Sequence, residues 1–393
     1  MNDNDVVITS AVRTAVGSFG GSLSSLTAPQ LGAEVIKKAL EKSEIKPDQV
    51  DTVYMGQILA AGVGQNPARQ AAIHAGIPVE KTATTINQLC GSGLASVAFG
   101  YNSIKCGDAN IVIAGGQESM SNAPHFINLR NGVKLGDTKL QDSMIVDGLM
   151  DVYNQYHMGV TAENVAQKFQ ITRKDQDAFA AASQRKAIDA IKGKKFKDEI
   201  VPVTVKVKKQ DVIFDKDEYP KDGTTIEKLE ALKPAFKKDG TVTAGNSSQT
   251  SDGASFVVVM SDRLMQSLGL KPIGRLVNCA VAGVHPRIMG IGPIEAVPKV
   301  LKQAGMSLDQ IDLFELNEAF ASQALAVIRT LGLDQAKVNI NGGAIALGHP
   351  LGCTGSKLTV QIINDLERLN KRYCIVTACV GGGLGVAGII EIL

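Results

Sequence analysis

Pro47-Asp48-Gln49-Val50-Asp51 and Leu308-Asp309-Gln310-Ile311-Asp312 are nearly the same word, and each stands at the same point in the same succession of elements. Around the first copy, the apolar pattern gives a strand over 6–10, a helix over 29–42, a strand over 53–55, a helix over 65–76 and a strand over 84–86. A helix to about 105 follows, then a strand over 110–114 closed by Gly115-Gly116. Around the second copy come a strand over 273–280, a helix over 294–303, a strand over 313–315, a helix over 317–329 and a strand over 338–340. A helix over 353–368, a strand over 374–378 closed by Gly381-Gly382-Gly383 and a last strand over 386–392 complete it. A chain that repeats a βα order in this way predicts two similar α/β halves packed about a pseudo-twofold axis.

The length agrees, since 393 residues are too many for one ordinary core. Residues 1–120 with 247–270 read as one half, its last strand over 255–260, and 271–393 as the other. Between them, 121–246 is an insert of different character, richer in Lys, Asp and Met, with helices over 159–169 and 174–191. Its stretch 192–209 is basic, as is Lys233-Pro234-Ala235-Phe236-Lys237-Lys238. Such runs are a solvated face or a surface for a ligand with several phosphates.

Composition narrows the class. There are 40 Gly, no Trp and only 4 % aromatics, which calls for a core of small and β-branched residues in close backbone contact. A net charge of +2 argues against nucleic acid as a partner. The six cysteines form no Cys-x-x-Cys pair and the five histidines have no ligand spacing, so no metal is expected. The start is polar, unlike a secretory signal, and no apolar run reaches membrane length. The expectation is a cytoplasmic protein with free thiols and no membrane contact.

Four motifs carry chemistry. In Asn87-Gln88-Leu89-Cys90-Gly91-Ser92-Gly93, a cysteine stands where a small-residue turn becomes a helix. The positive helix end there is expected to favour the thiolate, the nucleophilic form. Free N–H groups in the same turn can hold an oxyanion. In Asn341-Gly342-Gly343-Ala344-Ile345-Ala346-Leu347-Gly348-His349-Pro350, a histidine sits in a glycine turn, where it can act as a base on a thiol or donate to an oxyanion. Cys379-Val380-Gly381-Gly382-Gly383 offers a second thiol, able to shuttle a proton, and further N–H groups. Asn317-Glu318-Ala319-Phe320 supplies an amide that can orient a water or a carbonyl. By the repeat, all four fall at strand C-termini, the usual edge for active sites in α/β folds.

Taken together, these motifs resemble the thiolase family, and the resemblance runs from Ala11-Val12-Arg13-Thr14 to the C-terminus. It implies an α/β thiolase fold of two βαβαβαββ halves in five αβαβα layers, with a loop domain over the active site, and a homotetramer built as a dimer of dimers. It implies Cys90 as the nucleophile that takes the acyl group, with His349 as its base. Asn317 would hold a water that shares an oxyanion site with His349, and Cys379 would be the second acid/base. The N–H groups of Cys90 and Gly381 would form the other oxyanion site. His157, Met158, Lys221, Phe236, Ser248, Ala319 and Phe320 match positions that contact the acyl group or coenzyme A. The subgroup resembled most joins two acetyl-CoA into acetoacetyl-CoA and CoA, through an acetyl-Cys90 intermediate and with no tightly bound cofactor. The loop from Gly245 to Gly253 looks more like that of the broad-range degradative thiolases of fatty-acid oxidation, which is the alternative reading.

Three rivals fit less well. A decarboxylating synthase of the same fold needs His or Asn in place of Cys379 and a second His in place of the Asn317 segment. A non-catalytic CoA- or lipid-binding relative would lack one of Cys90, His349 and Cys379. A papain-like protease explains neither the repeat nor the second cysteine in a triple-glycine turn.

Overall fold

A computed structural model of the chain describes residues 5–207 and 210–393. Lys208 and Lys209 of the basic stretch, and the polar start at 1–4, lie outside the described residues. The first half contributes strands β1 (Val6–Thr14), β2 (Thr52–Gly56), β3 (Thr82–Ile86), β4 (Ile111–Ser119) and β5 (Ser251–Ser261). The second contributes β6 (Gly274–Gly283), β7 (Leu313–Leu316), β8 (Tyr373–Val380) and β9 (Leu384–Ile392). The longer helices are α1 (Ala28–Lys42), α2 (Pro67–His74), α3 (Ser92–Cys106), α4 (Met158–Lys168) and α5 (Arg173–Lys192). Second-half helices are α6 (Gly292–Ala304), α7 (Ala321–Leu331), α8 (Ala344–Leu347) and α9 (Thr354–Leu369).

The two halves pair their strands in the same order. The first runs β1-β5-β4-β2-β3, with β1-β5 and β5-β4 antiparallel and the rest parallel. The second runs β6-β9-β8-β7 with the same senses, and a parallel bridge from Phe314 to Val338 stands where β3 stands in the first. Even the irregularity repeats: β1 shifts register between Ile8 and Ser10, and β6 between Leu276 and Asn278. The two sheets touch where Ile8 pairs with Gly274.

The repeated word has a physical task. Gln49 Oε1 accepts from Lys46 N and Gln310 Oε1 from Ser307 N, closing a tight turn in each half. Asp51 Oδ2 then accepts from the backbone N–H groups of Asn110 and Ile111, at 2.7 and 3.1 Å. Asp312 Oδ2 accepts from those of Arg372 and Tyr373, at 2.9 and 3.0 Å. Each aspartate therefore fixes the start of the neighbouring parallel strand.

Alternation along the strands builds the layers. Ile111 and Ile113 of β4 face α1 and α2, with Leu31, Val35 and Ile36 beneath them. Val112 and Ala114 face the opposite way, onto Leu94 and Val97 of α3 and Leu358 and Ile362 of α9. On the far side of that layer stand Val376 of β8 and Ile390 of β9. Ile375 and Ile389 turn outward onto α6 and α7 through Val300, Val327 and Ile328. The order helices, sheet, helices, sheet, helices is the expected five-layer arrangement. Cys374 of β8 turns its side chain to the central layer, fully buried. The small residues matter most in that layer: a Cβ on Gly93 would lie 2.5 Å from Ser356 N, and one on Gly355 would lie 2.4 Å from Leu94 N. Backbone therefore meets backbone at the N-termini of α3 and α9, which brings the loops before them together.

Several element boundaries differ from expectation, β1 running on to Thr14 and β5 starting already at Ser251, and three of the differences have a plain cause. β4 does not stop at Gly115-Gly116; it stays paired with β5 up to Ser119. The glycines are needed for close approach, not for a turn, since a Cβ on Gly115 would fall 2.1 Å from Ser255 O. α7 begins at Ala321, not 317, because Phe320 remains extended and bridges to Ser247. The strand expected over 338–340 shrinks to the Val338 bridge, since Asn339 adopts φ 46° and spends its side chain on the backbone of Leu316.

Candidate active site

The turn that carries Cys90 is fixed by its own residues. Leu89 takes a positive φ of 47°. Ser92 Oγ accepts from Gln88 N at 2.8 Å and donates to Leu89 O at 2.7 Å. The sulfur then faces the loop before α9, and His349 Nε2 lies 3.2 Å from Cys90 Sγ. His349 Nδ1 is 2.5 Å from Thr354 Oγ1, and that hydroxyl donates to Pro350 O at 2.9 Å. With its own proton so used, Thr354 is the acceptor toward the ring. The proton of the neutral imidazole is therefore on Nδ1, and Nε2 presents a lone pair to the thiol.

Asn317 Nδ2 lies 3.3 Å from the same Nε2, and Asn317 Oδ1 is buried with no protein partner. Glu318, next in sequence, anchors that segment. Its carboxylate accepts from Ser183 Oγ at 2.7 Å, Asn339 Nδ2 at 2.8 Å and Ile345 N at 3.3 Å, so one side chain joins the Asn317 loop to α5 and to the His349 motif. The backbone N–H of Gly381 and that of Cys90 itself both act on the Cys90 sulfur.

Electrostatics correct one expectation. The Cys90 thiolate is not favoured at rest: burial raises the thiol, the N–H groups of Gly381 and Cys90 recover only part of the rise, and the balance leaves it pushed up to about 11. Burial, with the positive charge of Lys357 adding to it, holds His349 down to about 3. Burial also raises Cys379 well above the ordinary range. The resting site is thiol, neutral imidazole, thiol. It is built for proton transfer at the moment of attack, not for a standing ion pair.

Beside Cys379 the apolar wall gathers Met158, Ala319, Phe320 and, partly buried, Phe236. His157 caps α4 through Nδ1, accepting from Gly159 N at 3.0 Å, and its ring stacks on Phe236 with centroids 4.7 Å apart. Phe236 meets Phe320 edge to face at 6.1 Å. Ser248 joins through its N–H to Ala319 O at 3.0 Å. Lys221 stands apart, exposed after Pro220, with its N–H on Gln184 Oε1. Cys353 is buried with Sγ 3.1 Å from Ser255 Oγ. Among the described residues no group of His, Cys, Asp or Glu could hold a metal ion, and no helix is long and apolar enough to cross a membrane.

The residues missed from sequence are Thr354 and Glu318. Thr354 could have been found from its place at the start of a helix just after the histidine, where a hydroxyl is near the loop it follows. Glu318 lay inside a motif whose asparagine drew the attention.

The model described as "Thiolase, N-terminal domain" matches residues 6–263, and "Thiolase, C-terminal domain" matches residues 270–392. The acetyl-CoA acetyltransferase of Pseudomonas aeruginosa is 55 % identical over 98 % of both chains. That of Allochromatium vinosum is 52 % identical over 100 % of both. The crystal structure of the Bacillus anthracis acetyl-CoA acetyltransferase superposes with a TM-score of 0.97 at 43 % identity, covering 99 % of each chain. With the repeated halves, the five layers and a cysteine–histidine pair set between them, the chain belongs to the thiolase family.

Proposed function

We propose that this protein is an acetyl-CoA C-acetyltransferase, which joins two acetyl-CoA into acetoacetyl-CoA and CoA, reversibly and in ping-pong fashion. The observation that carries the reading is the 3.2 Å approach of His349 Nε2 to Cys90 Sγ with the imidazole proton held on Nδ1. Cys90 attacks the thioester carbonyl as its proton passes to His349. The N–H groups of Cys90 and Gly381 receive the oxyanion. Cys379, a thiol at rest, gives its proton to the departing CoA sulfur. Its thiolate then takes a proton from the methyl of the second acetyl-CoA, and the resulting enolate oxygen faces His349 and a water on the free Oδ1 of Asn317. The enolate carbon attacks acetyl-Cys90, and the expelled sulfur recovers its proton from His349. Cys90 regains its proton through His349, and Cys379, whose proton left with CoA, is reprotonated from the methyl, so the cycle closes with no metal or redox group required.

His157, Met158, Phe236, Ala319 and Phe320 are the wall against which the acyl group and pantetheine lie, with Ser248 nearby. Lys221, exposed and separate, suits the nucleotide end of coenzyme A. Residues 121–246 form the loop domain that takes up coenzyme A and makes tetramer contacts. The protein works in the cytoplasm as a homotetramer, without membrane or nucleic acid.

The test is CoA-dependent cleavage of acetoacetyl-CoA beside that of a long-chain 3-ketoacyl-CoA, with Cys90→Ala as blank. Cleavage confined to the short substrate, lost in the variant, is expected. Comparable rates on both move the protein to fatty-acid degradation, as the Gly245–Gly253 loop suggests, and no activity on either returns the non-catalytic reading. Cys379→Ala is expected to acetylate but to turn over about 10²- to 10⁴-fold more slowly.

A further inference from the structure

Cys90 and His349 come from different halves of the chain, and one carboxylate ties together the loops beside them. Glu118, at the end of β4, is fully buried. Its Oε2 accepts from Ile58 N at 3.1 Å and from Gly352 N at 2.9 Å, and its Oε1 accepts from Leu59 N at 3.1 Å. Ile58 and Leu59 lie in the loop after β2, in the first half. Gly352 is in the second half, between His349 and Thr354. The backbones close tightly here: a Cβ on Gly352 would lie 2.7 Å from Gln57 Cα and 3.0 Å from the Glu118 carboxylate. Beside this clamp, Ile58, Leu59, Met120 and Leu351 form one apolar cluster on which Leu89 and Cys90 rest. The nucleophile leans on the cluster, and the loop of the base hangs from the carboxylate.

We propose that Glu118 is a positioning residue that holds His349 within proton-transfer distance of Cys90, and that it does so only as the ionised carboxylate. The inference rests on the reading of Cys90 as nucleophile and His349 as base. The reason is the donor count. A carboxylate presents two acceptor oxygens to the three N–H groups, whereas in the acid one oxygen becomes a donor set against donors. Burial pushes Glu118 up to about 7 against the pull of those N–H groups, and the nearby Asp252 adds to the rise. Asp252 is held by Ser121, through its N–H at 3.0 Å and its hydroxyl at 2.5 Å. The other titratable groups that face Glu118 are the thiols of Cys90 and Cys353, pushed up to about 11 and about 12. Neither member of the catalytic pair changes charge in the neutral range, and Glu118 does.

The experiment is rapid-quench acetylation of Cys90 by acetyl-CoA, read by mass spectrometry across pH. In the wild type the rate is expected to rise to a plateau with a midpoint near 7. Glu118→Gln is expected to lower the plateau rate about 10- to 100-fold and to abolish the pH limb. The KM for acetyl-CoA should stay within about twofold, and a crystal structure of the variant should show the Nε2 to Sγ separation lengthened. Asp252→Asn leaves the clamp in place and removes the neighbouring charge, so it is expected to move the midpoint to lower pH. This second variant decides the matter where Glu118→Gln does not fold. A flat wild-type profile, a limb that survives in Glu118→Gln, an unchanged separation or a midpoint unmoved in Asp252→Asn overturns the proposal. Absence of acetyl-Cys90 from the wild type at every pH overturns the acyl-transfer reading itself, and this inference with it.

Discussion

At Cys90 two effects compete, and their sizes decide the resting state. A helix N-terminus favours a charge by about 0.3–1 kcal/mol when exposed. Each unit of pKa shift is about 1.4 kcal/mol, and burial carries the thiol from 9.0 to about 11. Burial wins, so the site needs a base that is neutral and already aimed. Thr354 provides the aim by accepting the Nδ1 proton. Thr354→Val keeps the volume and removes the acceptor, so the ring is free to turn over or to change tautomer. It is expected to lower kcat about 10- to 100-fold with little change in KM. Thr354→Ser, smaller but with the hydroxyl, should recover most of the rate. A residue needed only for packing would show the opposite ranking, with valine harmless and serine damaging. Steady-state kinetics on the two variants separate these outcomes.

At the scale of elements, the paired aspartates test whether the repeat is structural. Asp51→Ala and Asp312→Ala should each cost about 0.5–1.5 kcal/mol, since each removes the acceptor of two backbone N–H groups at the partly exposed start of a strand. Thermal melts of the two variants should agree closely, and a large cost in one with none in the other would deny them a common role. Burial alone would raise Asp312, but the N–H groups of Tyr373 and Arg372, with the charges of Lys371 and Lys337, outweigh it and hold the carboxyl below the ordinary range. Its contribution is therefore complete above the pKa of an unfolded aspartate and fades as pH falls through the lowered folded value. The repeated word could be read from the sequence because its task is local and uses the same side chains twice. The periodic helices were legible for the same reason, as were Cys90, His349 and Cys379, whose glycine-rich surroundings mark them. What could not be read depends on contacts distant in sequence. The run of β4 through Gly115-Gly116 is decided by Ser255, and the resting thiol of Cys90 by what buries it. Glu118 carries no motif of its own, because its partners are backbone N–H groups that any residue supplies.

At the scale of the whole molecule, the expected assembly can be tested at one strand. β3 pairs with β2 on one side and forms the far edge of the first-half sheet. Its residues alternate in exposure, with Thr82 and Thr84 outward. An edge of this kind invites another strand, and a second copy of the same edge across a twofold axis satisfies both at once. Phe99, 50 % exposed and with its ring 6.1 Å from that of Tyr54 on the neighbouring strand, adds apolar surface beside it. The edge also leads straight into Asn87 and the Cys90 turn, so pairing here would steady the loop that holds the nucleophile. Ala83→Pro removes an N–H that faces away from β2, since Thr82 N and Ile86 O are the groups that pair with β2, and restrains the backbone there. It is expected to shift the protein toward smaller species in sedimentation velocity, and to reduce acetylation of Cys90 in parallel as protein concentration falls. Ala83→Ser keeps the N–H and should leave both unchanged. An Ala83→Pro protein that sediments as the wild type would place the subunit contact elsewhere, and one that dissociates with full acetylation would show that the Cys90 turn holds its shape without the second copy.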